Sequence, residues 1–136
     1  MLSFSNKIMN LKTIFKRTIL LDFSLLILII ITLFYPSTEV AQFNQYYENE
    51  LSGSFLILVL ILQLAYVINL FLLYKFKSIG KKIYIILFVL MWTLSLLLPP
   101  SAADAFQNVI MGLGYTISGA ILVFLYFTPI KKEFDK

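Results

Sequence analysis

Residues 54–74 read SFLILVLILQLAYVINLFLLY, a run without a charge, a proline or a glycine. At a rise of about 1.5 Å per residue, a helix of this length reaches about 30 Å, the thickness of a bilayer's hydrocarbon core. Working outward from it, three more stretches approach the roughly 17–25 apolar residues that a crossing needs. The four spans are expected at about Ile19–Tyr35, Ser54–Tyr74, Ile83–Leu98 and Ala105–Phe127. The third is the shortest and has room to extend into its flanks.

Composition agrees with that class. Of 136 residues, 60% are hydrophobic and 13% are charged, against about 45–50% and about 25% in soluble domains. A water-soluble domain of this size would leave wide apolar patches exposed. There is no cysteine and no histidine. That removes thiol chemistry, disulfides, Cys/His metal sites and the usual neutral-pH general base. The net charge of +4 would point to nucleic acid only if the basic residues gathered on one solvated face.

They gather elsewhere. Lys7, Lys12, Lys16 and Arg17 precede the first span, Lys75, Lys77, Lys81 and Lys82 separate the second from the third, and Lys131, Lys132 and Lys136 follow the fourth. The other two loops hold none of the eleven. Because Lys and Arg near span ends stay in the cytoplasm, the three clusters assign one orientation, N-in and C-in. The opposite loops carry only acids, Glu39, Glu48, Glu50 and Asp104. Glu48 and Glu50 with Glu39 or Asp104 offer hard-cation chemistry, but Glu-x-Glu beside an interface reads first as a solvated flank, and no metal or cofactor is expected. Tyr35, Tyr46, Tyr47, Tyr74, Tyr84 and Tyr126 lie near span ends, where an amphipathic ring suits the headgroup zone.

Ahead of the first span, Phe4, Ile8, Leu11, Ile14 and Phe15 recur at helical spacing between lysines. This predicts a short interfacial amphipathic helix on the anionic cytoplasmic leaflet. The apolar run that follows is at or beyond the upper limit for a signal peptide's core. No small-x-small cleavage site comes after it, so it is expected to stay as an anchor.

The two halves repeat an order of features. A basic residue (Arg17, Lys82) precedes a Pro-Ser pair (Pro36-Ser37, Pro100-Ser101), and an acid, alanine, phenylalanine and amides follow. A tandem duplication of a two-helix hairpin accounts for this. So does the narrow residue alphabet of membrane helices.

Polar and small residues inside the spans are the candidate sites. On the fourth, Asn108, Gly112, Thr116 and Gly119 share a side at 100° per residue, and Gly112-x-x-x-Thr116 and Gly114-x-x-x-Ser118 are pairs that let helix backbones approach. This helix is expected to make the tightest contact, within the bundle or with a partner or second copy. Gln63, Tyr66 and Asn69 share an arc of the second helix, and Thr18, Asp22 and Thr32 a face of the first, so both faces should point inward. Asp22 is the one ionisable residue in a span. It sits about 6 Å into its apolar run, shallow enough to meet water or to pair with Arg17, Lys75 or Lys82.

Four spans with an acid in the first resemble the small multidrug resistance exporters in architecture alone. Those exporters are often dual-topology and need a weak charge bias, whereas the basic count here is eleven to none. Gly114–Gly119, ending in Ser118-Gly119, is superficially similar to the rhomboid nucleophile motif, but no histidine exists to activate the serine. Asp22 and Asp104 lie towards opposite leaflets and lack the Gly-x-Gly-Asp signature of intramembrane aspartyl proteases. The expectation is a non-catalytic protein of the cell's inner membrane acting through helix–helix or partner contacts, as an accessory subunit or an immunity-type protein. The alternative is a small channel or transporter formed by self-association, with a holin-like pore former behind it. The bilayer is the first partner, and nucleic acid is not expected.

Overall fold

The computed structural model describes the backbone of residues 2–48, 53–96 and 101–135, and within these the side chains of 10–46, 53–96 and 101–135. The described residues are helical with no strand. They form α1 (Leu2–Leu33), α2 (Thr38–Glu48), α3 (Gly53–Tyr74), α4 (Ser78–Ser95) and α5 (Ala105–Phe127), ending in a 3-10 turn, Pro129–Glu133. Three of them, α3, α4 and α5, are long and apolar enough to cross a membrane. The segments Asn10–Leu33 and Thr38–Tyr46, bent by 86° across a short break, make a fourth candidate if taken as one span.

The α3 helix explains why lipid is the solvent. Leu62, Tyr66, Leu70 and Leu73 point into the protein and are buried, while Leu60, Leu64, Ile68 and Phe71 repeat the same spacing on the opposite face and stay 62–64% exposed. A helix that is apolar all round needs an apolar surrounding on its outer side too.

The basic N-terminal segment does not form a separate short helix. It continues without a break into α1, a single helix of 32 residues. The side chains of Phe4, Lys7 and Ile8 lie outside the described residues, as do those of Tyr47 and Glu48, and all of Glu50 and Pro100. Pro36 ends α1, because its ring excludes a continuing helix. The last turn tightens, with Phe34 N–H donating to Ile31 O at 3.1 Å and Tyr35 N–H to Thr32 O at 3.2 Å. Ser37 then starts α2, its Oγ accepting from Val40 N–H at 3.4 Å in the manner of an N-cap.

α3 ends in a Schellman motif: Lys77 N–H donates to Leu72 O and Phe76 N–H to Leu73 O, both at 2.9 Å. The left-handed position in it, usually glycine, is Phe76 with φ 53°. Its ring repays the conformation by packing 5.3 Å from Phe134 and 5.6 Å from Phe15. The turn brings α4 so close to α3 that Gly80 has no room for a Cβ, which would sit 3.0 Å from Leu72 Cβ and 3.2 Å from Leu73 N.

α1 packs against α5 and α3, and α3 against α4; α4 and α5 are not a closely packed pair of backbones. Long side chains bridge them instead. Tyr84 donates to Ser118 O at 3.0 Å, Tyr126 donates to Lys81 O at 3.0 Å, and the Trp92 and Tyr115 rings stand 5.3 Å apart.

Candidate functional site

Where α1, α3 and α5 converge, Asp22 is the hub. Tyr66 Oη donates to Asp22 Oδ2 at 2.6 Å and Ser118 Oγ to Oδ1 at 3.2 Å. Tyr66 and Ser118 hydroxyls are themselves 3.2 Å apart. Tyr84 from α4 holds the Ser118 carbonyl and sets its ring 5.9 Å from that of Tyr66. Four helices thus supply one buried polar cluster.

Two sequence expectations are corrected here. Asp22 does not meet water or a basic partner: it is 5% exposed, and among the described residues no Lys or Arg pairs with it. Tyr66 lies eight residues from the Tyr74 end of α3 and Ser118 nine from the Phe127 end of α5, about 12–13 Å along each helix. Tyr84 is not a headgroup anchor but fully buried. Tyr35 and Tyr46, by contrast, are exposed as anchors would be.

The other inward faces divide. Thr18 and Thr32 need no partner helix, since each hydroxyl donates to its own helix, to Ile14 O at 3.0 Å and Ile29 O at 2.7 Å. Asn69 is 1% exposed, and neither of its amide atoms has a hydrogen-bond partner among the described residues. Gln63 borders a cavity.

That cavity, about 320 Å³, lies between α1, α3, α4 and α5. Asp22, Tyr66 and Ser118 form its buried end, and its walls include Leu25, Phe88 and Met111. Its exposed lining residues are Trp92, Ser95 and Tyr115.

The opposite end is closed. Phe15, Ile130 and Phe134 are fully buried, and the Phe15 ring packs edge-on against Phe124 at 5.7 Å and Phe134 at 5.8 Å. Thr128 caps the 3-10 turn, accepting from Ile130 N–H at 3.3 Å. Lys12 pairs with Glu133 at 2.8 Å and Lys81 with Asp135 at 3.6 Å. Lys16 lies 4.8 Å over the Tyr74 ring. The sequence offered no signal for this C-terminal cap beyond its lysines.

The fourth-span candidates separate onto two sides of α5. Gly114 and Ser118 face inward; a Cβ added at Gly114 would lie 3.9 Å from Ile29 Cδ1 of α1. Asn108, Gly112 and Thr116 are exposed. Thr116 is satisfied by Gly112 O at 2.9 Å, and a Cβ added at Gly112 or Gly119 would meet nothing within 4 Å.

At the α2 end, Asn44 grips the chain before α5, donating to Ala102 O at 3.1 Å and accepting from Ala102 N–H at 2.8 Å. Asp104, at the N-cap of α5, makes no side-chain cap and accepts instead from Ser37 N–H at 3.2 Å. Among the described residues no three acids gather as metal ligands. No family model, no curated protein and no solved structure matches the chain.

Proposed function

We propose that this chain is a four-span protein of the cell's inner membrane, with both termini cytoplasmic, that works without catalysis by binding another membrane helix, as an accessory or immunity-type subunit. The orientation rests on the eleven basic residues at three places on one side. The observation that carries the binding role is the outward side of α5. Gly112, Thr116 and Asn108 are exposed there, with open space beyond Gly112 and Gly119. A face of small residues lets a second helix come close, which is how packing replaces the missing hydrophobic drive in lipid.

A photo-crosslinking residue at Thr116, compared with one at the lipid-facing Ile86 of α4, tests this in native membranes. The expected result is a protein adduct, with a partner or a second copy, at Thr116 and not at Ile86. Lipid adducts alone at both positions would refute it.

A second reading, a small channel or transporter formed by self-association, draws support from Asp22 and Gln63 beside the cavity. The aromatic closure at Phe15 and Phe134 weighs against a pore through one copy. Flux through liposomes that changes in Asp22→Asn is its test.

A further inference from the structure

The three basic segments contain only two acids, Glu133 and Asp135, and both are taken, by Lys12 and Lys81. Among the described residues, Lys16, Arg17, Lys75 and Lys77 have no carboxylate partner. Two of these cations are seated on aromatic rings. The Lys16 ammonium lies 4.8 Å over the Tyr74 ring and 5.6 Å over Phe76, and that of Lys75 lies 5.5 Å over Phe71. A ring face attracts an ammonium without neutralising it, so each lysine keeps donors for an anion.

The Lys16 seat is built into the fold. Phe15 beside it is fully buried, and Phe76 is fixed by the left-handed turn with its ring against Phe15 and Phe134. Lys75 tops a different feature. Leu64, Ile68 and Phe71 follow one another at four- and three-residue spacing on the outward face of α3, each 62–64% exposed, and Lys75 continues that row. From Leu64 to Lys75 is about 16 Å along the helix, close to half of a hydrocarbon core of about 30 Å. An apolar strip one leaflet long thus ends beneath two cations that have no counter-ion.

We propose that Lys16 and Lys75 form a headgroup site for one anionic phospholipid, whose phosphate they hold where α1 meets the end of α3 and whose acyl chain lies along Phe71, Ile68 and Leu64. The site needs α3 to cross the bilayer but not the helix-binding role, which uses α5. Charge selects the headgroup. A zwitterionic lipid brings its own ammonium to the two lysines, whereas an anionic one brings only the charge they lack. A soluble phosphate would meet the cations and leave the apolar strip unused.

The full chain in detergent is titrated by native mass spectrometry with palmitoyl-oleoyl phosphatidylglycerol, with its phosphatidylcholine counterpart and, as a phosphate without chains, with glycerol 3-phosphate. One saturable phosphatidylglycerol adduct is expected, roughly tenfold or more tighter than phosphatidylcholine, with glycerol 3-phosphate weaker still. The double variant Lys16→Gln/Lys75→Gln should lose that preference. Lys131→Gln/Lys132→Gln, which removes the same charge from exposed positions of the C-terminal turn, should keep it. Equal binding of the two lipids, or glycerol 3-phosphate binding as tightly as phosphatidylglycerol, would overturn the proposal. So would equal losses in the two double variants, which mark a diffuse field rather than a site. If Lys16→Gln/Lys75→Gln does not fold, the exposed Lys75→Gln takes its place, with a several-fold loss of preference expected and no loss contradicting the site.

Discussion

The hydroxyl of Tyr66 on α3 donates to the carboxylate of Asp22 on α1 at 2.6 Å, joining residues 44 positions apart inside an apolar bundle. Interhelical bonds in membranes average about 0.6 kcal/mol and reach about 1.7; a short bond to a buried acid belongs near the top of that range. Tyr66→Phe and Asp22→Asn should each lower thermal stability in detergent. The double variant should lose less than their sum, by about 1–2 kcal/mol. Additive losses would mean that the two side chains are not coupled.

Asn69 predicts the opposite sign. A buried amide with neither atom satisfied costs about 1–3 kcal/mol, so Asn69→Leu, which is close in volume, should raise the unfolding temperature. A fall would show that the amide has a partner in the membrane that matters.

Two glycines should answer the same substitution differently. At Gly80 a Cβ would press on Leu72 and on the α3 backbone, and Gly80→Ala should cost about 1–3 kcal/mol. At Gly112 the space is open, and Gly112→Ala should be neutral or gain up to about 1 kcal/mol from helix propensity. Circular dichroism melts of the two variants side by side check this, and equal effects would contradict it.

The cap at the Phe134 end should depend on packing far more than on charge. Glu133→Gln removes the partly exposed ion pair with Lys12 and should cost under about 1 kcal/mol. Phe134→Ala empties a fully buried ring site touching Phe15 and Phe76 and should cost about 3–5 kcal/mol. Protease sensitivity of the C-terminal turn should rise sharply in the second variant only.

What could be read in the sequence followed from solvent and length. The apolar run at 105–127 is α5 to the residue, and that at 54–74 is α3 less one residue, because lipid demands an uninterrupted apolar helix and little else does. What could not be read depended on which helices meet. That Asp22 is buried is not legible from its place in its own apolar run, because Tyr66 and Ser118, which cover it, come from other helices. Tyr84 looked like an anchor because it follows Lys82, yet the turn at Gly80 swings its side chain inward while Lys81 lies 5.4 Å over the Tyr126 ring. The small residues of α5 suggest one interface in sequence, whereas the fold divides the inward Gly114 and Ser118 from the exposed Gly112 and Thr116. The α2 helix was hidden in what read as a polar loop, where Ser37 and Asn44 carry the information only once Asp104 and Ala102 are beside them.

The roles proposed for the closed end at Phe134 and the outward face of α5 rest on the proposed topology of four crossings with both termini inside. The chain has no cysteine, so single cysteines report their side of the membrane without background. Ser37→Cys, Ser78→Cys and Lys132→Cys, all at exposed positions, are treated with a membrane-impermeant maleimide in intact cells and after permeabilisation. The account predicts that Ser37→Cys labels in intact cells and that the other two label only after permeabilisation. Labelling of Ser37→Cys and Ser78→Cys from the same side, or of Lys132→Cys in intact cells, would contradict it.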